Sequence, residues 1–111
     1  MFRDDQQLAR ACRALLATAR LERLWGDEGP TPHPSELLAT NGGALSSGER
    51  VMLLAAWALW NGSGGVTLAE MLERLDVDTA EALCFLILAS KYGGDAVDDW
   101  IAEHSRQGTT S

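Results

Sequence analysis

Residues 45–62 read LSSGERVMLLAAWALWNG, and from Val51 to Trp60 the only polar side-chain atoms are the indole nitrogens of Trp57 and Trp60. A helix that is apolar on every side has no face for water and belongs inside a core. Ser46 stands three residues before Glu49, the capping-box spacing: the hydroxyl accepts from an amide of the first turn while the carboxylate reaches back. Asn61-Gly62 supplies the stop, because glycine takes the left-handed conformation that ends helices. Ten apolar residues fall short of the roughly 20 that cross a bilayer, so 46–61 is expected to be a core helix of a single domain.

Working outward, Thr67 precedes Glu70 by three, with Val66 before it and Met71 after it. This combines a capping box with a hydrophobic staple and predicts a helix over 67–75. Its buried stripe would be Leu68, Met71, Leu72 and Leu75, leaving Glu70, Glu73 and Arg74 in water. Asp78 stands in the same relation to Glu81 and predicts a helix over 79–92, in which Leu83 to Ala89 (LCFLILA) is a second nearly all-apolar run, expected against the first. Gly93-Gly94 separates it from a helix over 95–104, with Val97, Trp100 and Ile101 inward and Asp98, Asp99 and Glu103 outward. Residues 105–111 contain no apolar side chain and are expected to fray.

Before the core helix the chain is less regular. Gly26 to Leu45 holds all three prolines, at 30, 32 and 34, which stiffen a chain in extended form and cannot continue a helix; a short helical turn is expected at 35–40. Residues 4–25 lack Gly and Pro, and Leu8, Cys12, Leu15, Leu16 and Ala19 recur at helical spacing, predicting a long first helix with one apolar stripe. With no β-branched alternation anywhere, the expected fold is all-α: five helices plus a short turn around one core, with no β-sheet.

The 111 residues carry a net charge of −7, which repels phosphate backbones and anionic membranes. The charge is lopsided. Arg3, Arg10, Arg13, Arg20 and Arg23 against Asp4, Asp5 and Glu22 give the first 23 residues +2 and leave −9 on the remainder. Arg10, Arg13 and Arg20 are expected to form a line on one side of the first helix, either paired with the protein's own acidic half or free as a second surface through which two copies associate. Cys12 and Cys84, the only cysteines, both sit in apolar helical patterns, which suits core packing and a reducing cytoplasm; no secretory signal is read at the start. Composition rich in Ala, Leu, Gly and Arg suits a bacterium with GC-rich DNA.

Three chemistries are weakened by their spacing. Metal binding would have to use His33, with Glu36 three residues on, and His104; neither paired histidines nor paired cysteines occur at ligand spacing. Catalysis would need a nucleophile with a positioned base, but Ser46 and Ser47 are explained as caps and the cysteines as core. The glycine clusters at 42–43 and 62–65 lack the Lys-Ser/Thr of a phosphate-binding loop. No metal, cofactor or catalytic residue is therefore assigned.

The stretch Thr67-Leu-Ala-Glu-Met-Leu-Glu-Arg-Leu-Asp-Val-Asp-Thr-Ala-Glu-Ala-Leu resembles the helix-turn-helix of bacterial DNA-binding domains, with Val77 plugging the corner. That resemblance implies a transcription-regulatory domain using residues 67–92. The second helix, however, offers Thr79, Glu81 and an apolar run where base-reading side chains belong, so this is the second choice. Preferred is a non-enzymatic cytoplasmic protein that binds another protein as an adaptor, inhibitor or immunity-type partner, meeting a basic surface rather than nucleic acid or membrane. The residues singled out for that contact are Arg10, Arg13, Arg20, Trp25, Trp60, Glu70, Glu73, Asp98 and Asp99, the two tryptophans because aromatics beside loops commonly anchor interfaces.

Overall fold

The computed structural model describes residues 2–26, 28–30, 46–62 and 65–110, the side chains of 106–110 excepted. The expected turn at 35–40, His33 and the Gly42-Gly43 pair lie outside these residues. The described chain forms helices α1 (Asp5–Ala17), α2 (Ser47–Asn61), α3 (Leu68–Arg74), α4 (Val77–Tyr92) and α5 (Gly94–Thr110). Between α1 and α2 come a 3-10 turn, Glu22–Leu24, and two short strands, β1 (Trp25–Gly26) and β2 (Gly29–Pro30).

The first helix starts as expected but stops at Ala17 instead of running to Trp25. Asp4 caps it, accepting from the Gln7 amide at 2.8 Å. Its end is a Schellman motif: the Leu21 amide donates to the Leu16 carbonyl at 2.9 Å and the Arg20 amide to that of Ala17 at 3.0 Å. Arg20 holds the left-handed position with φ 61°, a place usually taken by glycine and one that costs another residue about 1 to 2 kcal/mol. Burial of Leu16 and Leu21, both 0% exposed, offsets that strain. The chain then turns into the antiparallel pair β1–β2, in register Trp25↔Pro30 and Gly26↔Gly29, so the expectation of no β-sheet is corrected. Gly29 is required there: its φ is 141°, and a Cβ would stand 3.0 Å from the Trp60 ring.

Both capping boxes form. Ser46 Oγ accepts from the Glu49 amide while the Ser46 amide donates to Glu49 Oε1 at 2.8 Å, and Thr67 and Glu70 repeat the exchange. Gly62 closes α2 with φ 75°. At α4 the cap is Asp76, two residues earlier than expected. Asp76 Oδ1 accepts from both the amide and the hydroxyl of Thr79, each at 2.8 Å, and these two charge-assisted bonds hold its carboxyl below the usual carboxylate range.

The packing centre is α1 rather than the more apolar α2. Ala9, Ala11, Cys12, Leu15 and Leu16 of α1 are all 0% exposed, because α2, α4, α5 and the β1–β2 unit all pack on this helix. From α2 come Val51, Met52, Leu53, Ala55 and Ala56, and from α5 Val97, Trp100 and Ile101. α4 lies on α5 and α1 instead of along α2, and it buries one side only, through Thr79, Ala82, Leu83, Leu86 and Ala89. α5 runs to Thr110, past His104 where the sequence suggested an end. α3 packs against α2, but its expected stripe is half wrong: Met71 and Leu75 are half-buried while Leu68 and Leu72 face water.

Candidate functional site

α4 and α5 form a helical hairpin about Gly93, whose φ is 127°. The Trp100 indole N–H donates to the Ala82 carbonyl at 3.1 Å and fixes the level of one helix against the other. This register sets Asp78 and Glu81, at the start of α4, across from Asp99 and Glu103 of α5. The end of α1 and the turn that follows it close the third side with Ala17, Thr18 and Arg20, and the result is an open groove of about 850 Å³. Its floor is apolar and aromatic, from Ala82, Phe85, Ala96 and Trp100.

Four carboxylates face one guanidinium across this groove, and among the described residues no ion pair joins Arg20 to any of them. Asp78, Glu81, Asp99 and Glu103 are all solvent-exposed, so each keeps its charge at little cost and the field between them is negative. His104 lies on the Trp100 ring, stacked at 4.2 Å between centroids. Its Nδ1 is 2.8 Å from the Trp100 carbonyl oxygen; since a carbonyl only accepts, Nδ1 carries a proton and donates.

The residues singled out from sequence separate into several places. Arg20 and Asp99 come together in the groove. Asp98 lies around the side of α5 in a clasp that ties down the N-terminus: Arg3 donates to Asp98 at 2.9 Å and to Asp95 at 3.0 Å. Between them the buried Gln7 donates to Asp98 Oδ1 at 2.9 Å and to the Gly94 carbonyl at 2.8 Å. The bond from Gln7, then that from Arg3, holds the Asp98 carboxyl below the usual carboxylate range, and Arg10 adds attraction at longer range. Arg10 and Arg13 are exposed on α1, but Arg20 has left the helix, so the expected line of three arginines does not form. Glu70 is engaged in its capping box and Glu73 is exposed beside it on α3.

The tryptophans prove mostly internal. Trp25 is 1% exposed and meets Trp57 and Trp60 edge to face, at 6.3 and 5.9 Å between centroids. Its indole nitrogen is buried with no acceptor among the described residues. Trp60 is half-buried over Gly29. Cys12 is buried, and desolvation pushes its thiol up to about 12, whereas Cys84, also expected in the core, is exposed.

Val77, the expected corner plug of the helix-turn-helix, is 79% exposed, and the open side of early α4 presents Asp78 and Glu81, which repel phosphate. Among the described residues no three His, Cys, Asp or Glu side chains converge to hold a metal ion, and no helix is long and apolar enough to cross a membrane. Sequence reasoning had explained Asp78 and Glu81 as a cap and Glu103 as a solvated face; folding the chain about Gly93 is the signal that would have brought them together. Comparison with family models, with curated proteins and with solved structures finds no match to this chain.

Proposed function

We propose that this protein is a non-enzymatic interaction module of the cytoplasm that receives a basic segment of another protein in the groove between α4, α5 and the end of α1. The observation that carries this reading is four exposed carboxylates, Asp78, Glu81, Asp99 and Glu103, rimming an aromatic floor. A guanidinium or ammonium group in the groove meets carboxylates on two sides and has the Phe85 ring in the same lining, so ion pairing and a cation–π contact are both within its reach. Arginine suits this better than lysine, because its planar fork binds a carboxylate bidentately and stacks on an aromatic ring. The overall charge of −7 adds steering: it speeds encounter with a basic partner more than it tightens the complex. Such a device serves an adaptor or inhibitor, which must recognise a surface and carry out no bond chemistry.

The test is titration calorimetry with an arginine-rich decapeptide and with a glutamate-rich control, on the wild-type chain and on a Glu81→Lys/Glu103→Lys variant. We expect the arginine peptide alone to bind, with affinity falling steeply as salt rises and dropping about tenfold in the variant, since two exposed pairs worth up to about 1 kcal/mol each are lost and replaced by repulsion. Equal binding by wild type and variant would place the contact elsewhere.

A further inference from the structure

α4 carries a second surface that overlaps the groove only at Asp78, Glu81 and Phe85. Its outward half presents Val77, Cys84, Phe85, Ile87, Leu88 and Tyr92, with Phe85 53%, Ile87 48%, Leu88 49% and Tyr92 78% exposed. Only Asp78, Glu81 and Lys91 interrupt it. A helix wetted on one side normally places polar residues there, and scattered apolar residues need no explanation, but four clustered on one exposed side, Cys84, Phe85, Ile87 and Leu88, do. We infer that this strip is a homodimer interface, in which α4 of one copy lies antiparallel to α4 of a second copy across a two-fold axis at the level of Leu86.

The register is self-complementary, as a two-fold contact requires. At 3.6 residues per turn, Phe85 and Ile87 fall on opposite flanks of the strip, with Cys84 and Leu88 along its middle. The two-fold axis sets each Phe85 against the same residue of the second copy on one flank, each Ile87 likewise on the other, and interleaves Cys84 with Leu88 in the seam. It also brings Glu81 level with Lys91 and Tyr92 of the second copy, Tyr92 on the same flank, where its hydroxyl can donate to the carboxylate. Of the three charges on the strip, Glu81 and Lys91 therefore stand level with their opposites when the second chain is another copy in this orientation, while Asp78 lies beyond the paired stretch.

The size of the contact sets its strength. α4 has 16 residues, about 24 Å at 1.5 Å per residue, and a helix is about 10 Å across. With side-chain relief counted, two such strips bury on the order of 1,000 Å² in total, the lower edge of specific interfaces. The dimer is accordingly weak and dissociates on dilution. It also responds to salt in the opposite sense to the groove: like charges on two acidic copies repel, so screening tightens the dimer. This inference does not rest on the groove's function, although Phe85 and Glu81 border both surfaces.

Sedimentation of the full chain in reducing buffer, from about 5 to about 500 µM, reads the association by mass action. The mass is expected to rise from 12.0 kDa towards twice that value, and to rise further with added salt. Cys84 provides an internal reporter. Its reaction with an aromatic disulfide is expected to slow several-fold as the dimer fills, while buried Cys12 stays silent throughout. Leu88→Asp, at a half-exposed position, keeps the helical circular dichroism and remains a monomer with fully reactive Cys84; Tyr92→Asp, more exposed still, does the same if Leu88→Asp is poorly folded. A constant mass of 12.0 kDa across the range overturns the inference. So does a dimer that survives both substitutions or leaves Cys84 fully reactive.

Discussion

Leu86 and Leu88 are two residues apart on the same helix, but one is 0% and the other 49% exposed. Truncating each to alanine removes the same three carbons. At about 0.8 kcal/mol per buried methylene the transfer loss at Leu86 is roughly 2.4 kcal/mol. The site is enclosed by α1 and α5 and cannot collapse fully, so a cavity term brings the expected loss to about 3 to 4 kcal/mol, within the range seen for buried leucines. For a domain of this size that lowers the melting temperature by roughly 12 to 16 °C. At Leu88 half of the side chain is already wet and no enclosed cavity forms, so the loss stays at or below about 1 kcal/mol.

Thermal and urea denaturation followed by circular dichroism, at a few micromolar to keep the chain monomeric, measures both. Equal destabilisation by the two substitutions would refute the one-sided packing of α4. A charge sharpens the contrast. Leu86→Asp buries an unpaired carboxylate at a penalty comparable to the whole stability of a small domain and is expected to unfold it. Leu54→Asp, equally harmful if α2 were enclosed all round, is expected to fold: Leu54 is half-buried in a shallow depression it shares with Arg50 and Arg74, either of which can pair with the new charge.

Arg20→Gly is expected to raise stability by about 0.5 to 1 kcal/mol, relief of left-handed strain exceeding the added freedom of the unfolded glycine; a lower melting temperature would show that the guanidinium contributes more than its backbone strain removes. Gly29→Ala is expected to destabilise by more than about 1 kcal/mol, since φ 141° and the Trp60 ring at 3.0 Å both oppose a Cβ, and the tryptophan emission spectrum should shift as the Trp25–Trp57–Trp60 cluster reopens. Asp98 has its folded-state pKa depressed by Gln7 and Arg3, so its contribution is fully present above the usual carboxylate value of about 4 and is lost as pH falls through the lower folded value. Acid titration should therefore show a shallower loss of stability for Asp98→Asn than for wild type, and parallel curves would show that the clasp contributes nothing.

What could be read from the sequence follows a physical boundary. The boxes at Ser46/Glu49 and Thr67/Glu70 were legible because every partner lies within three residues. The shift from Asp78 to Asp76 was not, because two aspartates two residues apart compete for one helix start: Asp76 meets Thr79, which donates both an amide and a hydroxyl, whereas Glu81 has no side-chain proton to offer. The end of α1 was hidden because its left-handed residue is an arginine, and the buried pair Leu16 and Leu21 that holds the motif closed looks, in sequence, like a helical stripe continuing. Apolar content misled about burial. LCFLILA in α4 and the alanine-rich run of α1 are both apolar, yet the smaller side chains of α1 let several elements approach it at once, whereas α4 is covered on one side.

That difference connects the fold to both proposed surfaces. With alanines at 9, 11 and 14, α1 can be surrounded closely, and the large side chains of α4 and α5 then need only one buried side each. The remaining side of α4 is left apolar and points outward, while the outward side of α5 is acidic and meets the acidic start of α4 across the hairpin. The basic N-terminal segment does not neutralise this region. Arg3 is engaged at the start of α5 by Asp95 and Asp98, Arg10 and Arg13 lie along α1, and Arg20 lines the groove, carried there because the helix ends early. Among the described residues one guanidinium lines the groove with four carboxylates, an excess of three negative charges around Phe85 and Trp100. A basic ligand of three positive charges would therefore saturate the groove, and a series of peptides carrying two to five arginines should gain affinity up to the third and little beyond it.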